Sequence, residues 1–454
     1  MKPSLPIGGL SAASLLAVLA AAPAPAQQGA GAIPFESYRL DNGLRVILSP
    51  DHSVPVVAVD VWYDVGSRNE RRGRTGFAHL FEHMMFQGSE NVDKTEHLRL
   101  IERAGGSMNG TTNEDRTNYF QTLPANRLNL GLWLEADRMR SLAVTPENLE
   151  NQQEVVKEER RLRVDNQPYT SSFFKALYQV PYNAETCFAY GHDVIGSMDD
   201  LNAATLDDVQ SFFDTYYAPG NATLTVVGDF DAGEAREMIE EYFGDIPAGP
   251  PPPAVECTAP FSGLPAREVV PDPNANLPAF LATYGMPKAG HPDSYALSLL
   301  GSILGSGESS RLHQRLVKDE EAALAVQSSA NIRRGPGLLL VFSLPNQGVE
   351  IGRVEELVDE EIERVRQQGV TAAELEKAKN RYRYQTLSGR QTVLGRAEDL
   401  QYFAHFHGDP AAIRDDLDSY AAVTREDIQR VANQYLVPGN RAVVIAQPAS
   451  EGED

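Results

Sequence analysis

Apolar residues along the chain fall into two periods. Between residues 44 and 65 they form two short β-branched runs, Leu44 to Leu48 and Val56 to Val65, set off by Asn42-Gly43 and Pro55. Runs of that length bounded by turn residues predict strands, and Ala222 to Val227 and Ala442 to Ile445 have the same character. Elsewhere the spacing is three and four. Phe77, Leu80, Phe81, Met84 and Met85 predict a buried helix beginning near Thr75. Thr145-Pro146, a cap followed by a first-turn proline, opens another helix whose apolar side is drawn by Leu149, Val155, Val156 and Leu162. Strands and helices mixed without regular βαβ alternation predict an α+β fold.

One pattern occurs twice. Thr205-Leu-Asp-Asp208-Val-Gln210, then Tyr216, then Pro219-Gly220-Asn221 returns as Thr424-Arg-Glu-Asp427-Ile-Gln429, Tyr435 and Pro438-Gly439-Asn440, all at one offset of 219 residues. In each copy a threonine caps a helix that ends before Pro-Gly-Asn, and a strand follows. Two homologous halves are the economical explanation. Each half is expected to be a mainly antiparallel sheet packed with helices. Pro247-Ala-Gly-Pro250-Pro-Pro-Pro253 cannot continue a helix and suits a semi-rigid connector. The halves are therefore placed at 35–247 and 267–450, with a linker at 248–266.

The N-terminus changes the picture of where the protein works. Lys2, an apolar stretch from Leu10 to Ala22 and the small-residue run ending at Ala26 predict a secretory signal over residues 1–26. Cleavage after Ala26 would deliver a periplasmic or secreted protein. No later segment is apolar for long enough to predict a stable membrane span. The chain has 454 residues, 42% apolar and 23% charged, a folded composition with room for two or three domains. Its net charge of −23, with no Lys/Arg-rich run, argues against a nucleic-acid partner. Cys187 and Cys257 are its two cysteines, compatible with one bridge or with two thiols.

One motif carries chemistry. In His79-Leu-Phe-Glu82-His83 the helical repeat sets His83 about 40° round from His79 and Glu82 about 60° to the other side. Two imidazoles and a carboxylate then share one face. Histidines so spaced suit Zn²⁺, and a glutamate between them can take a proton from water. A third ligand must come from elsewhere. On the 146–161 helix, Glu159 falls near the middle of the apolar side and Glu158 points away from it. A carboxylate there needs a cation, either a metal or an arginine such as Arg116 or Arg138. Gln152 lies on the same face.

His-x-x-Glu-His followed 75 residues later by the glutamate of a Val-Val-x-x-Glu helix resembles the pitrilysin, insulinase and mitochondrial processing peptidase family of inverzincin metallopeptidases. The resemblance spans nearly the whole mature chain. It implies a zinc-dependent endopeptidase of peptides or unfolded segments, one Zn²⁺ per chain held by His79, His83 and Glu159, with Glu82 as general base. Gly105-Gly-Ser-Met-Asn109-Gly-Thr-Thr112 is similar to the family's substrate strand, so Asn109 and Gly110 would contact substrate and Gln152 would back the ligands. It also implies a homodimer, or a heterodimer with a related subunit.

Three departures stand out. Gln152 replaces a glutamate common in relatives, and Gly110 an alanine. Val317 and Val326 stand where relatives often carry a substrate-holding Arg and Tyr. The second half has Ser298, Gly301 and Ser302 at the offset of His79, Glu82 and His83, so it should not bind metal. Its stretch Gly301 to Gly307 is compatible with a substrate-side loop or a flexible connector. His405 and His407 lack a nearby carboxylate and are expected to be structural. The alternatives to a self-sufficient peptidase are a non-catalytic scaffold of the same fold and the zinc-bearing subunit of a pair.

Overall fold

The computed structural model describes residues 33–449, so the expected signal at 1–26 lies outside the described residues. Two sheets organise the chain. The first contains β1 (Glu36–Arg39), β2 (Arg45–Pro50), β3 (Val56–Tyr63), β4 (Ser107–Thr112), β5 (Thr117–Pro124) and β6 (Ala222–Gly228), in the order β1-β2-β6-β3-β5-β4. The second contains β7 (Ala266–Asp272), β8 (Ala279–Met286), β9 (Ala323–Asn331), β10 (Gly337–Pro345) and β11 (Arg441–Pro448), in the order β7-β11-β8-β10-β9. The pairs β2–β6 and β7–β11 are parallel and the other pairings antiparallel. Without β1 the two orders are the same, so the repeat read from sequence is a repeat of topology. The fold is α+β.

The helices that matter here are α1 (Phe77–Met84), α2 (Pro146–Arg160), α3 (Leu206–Tyr216), α4 (Pro292–Gly305), α5 (Ala372–Gly389), α6 (Val393–Phe406) and α7 (Arg425–Tyr435). The predicted caps are in place. Thr145 accepts from the Asn148 amide at 3.2 Å, Thr205 from Asp208 at 3.2 Å and Thr424 from Asp427 at 3.1 Å. Each satisfies an amide that the helix cannot pair itself. Among the described residues no helix is long and apolar enough to cross a membrane.

The halves do not keep their helices to themselves. Helix α6, late in the chain, packs Val393, Ala397, Leu400 and Phe403 against Ile47, Ala58 and Val227 of the first sheet. Its Gln401 amide donates to the carbonyls of Asp60 and Thr223, at 3.0 and 2.8 Å. In return Ala176 and its neighbours Tyr169 and Phe173 pack on Val270, Leu281 and Val444 of the second sheet. The linker is tied down as well. Cys257 is disulfide-bonded to Cys187, and the Asn183 and Thr258 amides bond across to Pro260 and Thr186 carbonyls at 2.7 and 3.0 Å.

The stretch from Gly301 to Gly307 is not a flexible connector. Gly301 and Gly305 belong to α4, and both are buried against β9. A Cβ at Gly305 would stand 2.2 Å from the Ser328 nitrogen, so the glycine permits a close helix–strand approach.

Candidate metal centre

Helix α1 begins two residues later than its apolar pattern suggests, and the reason is local. Gly76 takes a left-handed φ of 85°, and its amide and that of Ala78 donate to the Glu70 carboxylate at 2.9 and 2.8 Å. Glu70 is fully buried and is met from behind by His192 Nε2 at 3.1 Å. Burial pushes its carboxyl up, with His192 and the two amides opposing. Thr75 turns away and bonds Asp200 through its N–H and hydroxyl, at 2.9 and 2.5 Å. The start of the motif helix is thus held by Glu70 just before it and, from far along the chain, by His192 and Asp200.

Helix α2 presents a buried stripe of Leu149, Gln152 and Val156, and Glu159 comes next at the same spacing. The apolar side read from sequence is corrected in part. Val155 is 41% exposed within the regular helix, and Leu162 is 56% exposed where the chain loosens after Arg160 into a π-helical turn, Arg161–Asp165. Glu158 points to solvent, as the wheel requires, and pairs with Arg161.

The two helices bring three donors together. Glu159 Oε2 lies 3.2 Å from His83 Nε2 and 3.6 Å from His79 Nε2, and the imidazoles are nearly perpendicular, at 81°. Donors 2.0–2.2 Å from a four-coordinate zinc stand about 3.3 Å apart, so the set fits that ion with a fourth position open. Glu159 Oε1 accepts from Arg163 at 2.9 Å, and this arginine is not one that the sequence singled out. Arg138 is taken by Glu135, and Arg116 bonds Thr111.

The electrostatics suit ligation. Burial, then the neighbouring His83, push His79 down to about 4, leaving it a neutral imidazole with a free lone pair. The hydrogen bond from His83 leads in lowering the Glu159 carboxyl, against its burial. Glu82 is mostly buried, which pushes its carboxyl up, while a hydrogen bond with Thr112 works the other way. Sequence reasoning missed Thr112 as a partner of Glu82. It also missed Glu70 and His192, which no local pattern could have flagged.

Strand β4 lies at the outer edge of its sheet, bonded to β5 alone. Asn109 is exposed there. Gly110 is buried, and a Cβ on it would meet the Tyr119 ring at 3.0 Å and Phe86 at 3.2 Å, which accounts for glycine at this place. Gln152 reaches no ligand and donates to Asn151 at 2.8 Å. The expected backing for the imidazoles is therefore missing, and His79 Nδ1 is buried without a partner.

In the second half, Ser298, Gly301 and Ser302 occupy the α1 positions, and Ala378 stands at the offset of Glu159. Val317 packs against the core of that half and Val326 lies in it. His405 is buried, its Nε2 bonded to the Asp115 carbonyl at 3.0 Å, and the carboxylate that the sequence did not show near it, Asp64, stands 3.9 Å away.

Residues 45–188 match the family model described as Insulinase (Peptidase family M16), and residues 203–382 match the Peptidase M16 inactive domain. The chain is 30% identical to zinc protease PqqE of Helicobacter pylori over 421 residues, covering 91% of this chain and 93% of that protein. It is 28% identical to an uncharacterized zinc protease of Mycobacterium leprae, over 91% of this chain and 92% of the relative. A crystal structure of a protease from Helicobacter pylori superposes with a TM-score of 0.86 at 29% identity, covering 91% of this chain and 99% of that one. By these matches and its two-half architecture, the chain belongs to the M16, or insulinase, peptidase family.

Proposed function

We propose that the protein is a zinc-dependent endopeptidase acting on extended peptides or unfolded segments. The convergence of His79 Nε2, His83 Nε2 and Glu159 Oε2 carries the reading. Bound there, Zn²⁺ supplies a Lewis acid for the scissile carbonyl and makes water a better nucleophile at neutral pH. Glu82, between the two histidines on the same helix, takes the proton of the attacking water on its carboxylate and passes it to the leaving amine. Its burial supports this role, since a carboxylate pushed up holds the proton long enough to return it. The free edge of β4 can add a peptide as a further strand, with Asn109 beside it, a mode that reads backbone more than side chain.

The bridge between Cys187 and Cys257 supports work in an oxidising compartment, in line with a signal cleaved after Ala26 and a periplasmic or secreted location. A second reading has one observation in its favour. By the family resemblance Val317 and Val326 stand where relatives often carry a substrate-holding Arg and Tyr, and here both pack in or against the second half's core, so a related subunit in a dimer would have to supply that clamp. Cleavage of mixed quenched peptides by the purified mature chain, with and without a zinc chelator, separates these readings. Chelator-sensitive cleavage that Glu82→Gln abolishes is expected of a self-sufficient peptidase. A folded, zinc-loaded chain that cleaves nothing sinks that version and leaves the paired subunit or the scaffold.

A further inference from the structure

The place that holds the metal triad in the first half is a pocket of different chemistry in the second. Ser302 stands at the offset of His83 and Ala378 at that of Glu159, and both line it. Ser306, Ser309 and Ser310 close one side, and Lys377 and Arg381, one turn apart on α5, close the other. The Lys377 ammonium donates to the Ser309 hydroxyl, and Arg381 Nη1 donates to the Ser306 carbonyl at 2.7 Å.

Charge gives this pocket its chemistry. The protein carries a net charge of −23, and many of its arginines, among them Arg311, Arg333 and Arg430, are paired with carboxylates. Among the described residues, neither Lys377 nor Arg381 has a carboxylate within ion-pair distance. The one acid in the lining, Glu374, is already gripped by Arg311 at 2.7 and 2.8 Å and capped onto Thr371. Burial works against its charge, but these partners prevail and hold it at about 2, so it adds no proton-dependent charge near neutrality. A second observation is independent of the cations. Ser310 is 3% exposed, and its hydroxyl is buried with no hydrogen-bond partner. A buried hydroxyl without a partner is costly, so an acceptor or donor brought within its reach would be favoured.

We infer that the Ser310–Lys377–Arg381 pocket binds a carboxylate of the peptide substrate, and so anchors the chain at a distance from the metal triad. Two cations and a set of hydroxyls with no acidic partner match an anion, and charge-assisted hydrogen bonds of this kind are the strong ones. The inference rests on the peptidase reading for the nature of its ligand. The carboxylate could come from the C-terminus of the peptide or from an acidic side chain. The chemistry is the same, and the test separates the sources.

The test uses binding, so that it stands apart from cleavage. Fluorescence anisotropy of the zinc-loaded mature chain carrying Glu82→Gln would follow three labelled peptides of one core sequence: free acid, amide, and amide with one internal Asp. A carboxylate anchor predicts about tenfold tighter binding of the free acid, or of the Asp peptide, than of the plain amide. The preferred peptide names the source. The preference should vanish in Lys377→Ala/Arg381→Ala and weaken in Ser310→Ala, while the plain amide binds as before. Lys377 and Arg381 are exposed, so the double variant should fold, and circular dichroism checks that it does. Equal affinity for all three peptides, a preference that survives the double variant, or no binding by a folded chain overturns the inference. If the preference is lost on mutation yet the native chain cleaves nothing, the pocket stands and the peptidase reading falls.

Discussion

Glu114 and Arg333 occupy the same position in the two halves, 219 residues apart, and they bond to each other at 2.9 Å. The next pair repeats the relation: Asp115 accepts from the Arg334 amide at 2.9 Å, again at a separation of 219. The β4–β5 and β9–β10 turns therefore meet tip to tip, and one ancestral position has become an acid in one copy and a base in the other. Arg333 is 1% exposed and lies over the rings of Tyr178, Tyr182 and Tyr190, at 5.0, 5.3 and 5.5 Å.

Removing one partner of such a pair strands the other in a dry site. Arg333→Met alone is expected to cost about 3–5 kcal/mol, and Glu114→Gln alone is also expected to destabilise. The double variant should recover part of the sum. Urea unfolding in a double-mutant cycle measures this, and strictly additive losses would remove the pair as a unit of stability.

Metal content tests the ligand set apart from activity. The chain purified without chelator should carry about one zinc, and Glu159→Gln or His83→Ala should lose most of it. Glu82→Gln should keep it. Elemental analysis reads the difference, and a Glu159→Gln protein with undiminished zinc would mean that another residue is the third ligand.

How much of this the sequence disclosed depended on range. His79, Glu82 and His83 were legible because a helix turns four residues of sequence into one face. Glu159 was told from Glu158 by the same wheel, although Val155 and Leu162 had misdrawn the stripe around it. What stayed hidden depends on distant partners. The Glu70 cap relies on His192, more than a hundred residues on, and Arg163 reaches Glu159 from a turn that breaks the helical period. The exchange of α6 and the Ala176 segment between the sheets leaves no local mark, since an apolar face does not say which sheet covers it. β1, with the half-exposed sequence Glu-Ser-Tyr-Arg, was too short and polar to stand out.

Asp60 offers a pH test on a buried carboxyl that is not one of the candidate metal ligands. It is fully buried, and its carboxyl accepts from Trp62 Nε1 at 2.9 Å and Asn118 Nδ2 at 3.2 Å. Burial first, and Glu398 second, push it up to about 8. A folded-state value above the unfolded one means that the native protein holds the proton more tightly. This residue's contribution is then most favourable below about pH 4 and declines as pH rises to about 8. Asp60→Asn keeps an acceptor and removes the titration. The variant should gain stability relative to the native chain across that window and level off above it. Urea midpoints at several pH values would show it, and a difference independent of pH would contradict it.

The Cys187–Cys257 bridge makes a prediction about how the linker is held. The two residues are 70 apart, and closing a loop of that length in the unfolded chain is worth about 4 kcal/mol in the chain-entropy model. The Asn183–Pro260 and Thr186–Thr258 bonds already fix the same two segments in the folded protein, but they vanish on unfolding and so do not share the effect. Cys257→Ser, or reduction before unfolding, should therefore lower stability by up to that amount while leaving the metal triad intact. Unfolding of oxidised and reduced protein side by side, with zinc content measured on each, checks both halves of the statement. An unchanged transition on reduction would mean that the bridge constrains a region already ordered in the unfolded chain. Zinc loss on reduction would mean instead that the linker helps to hold α1 and α2 together.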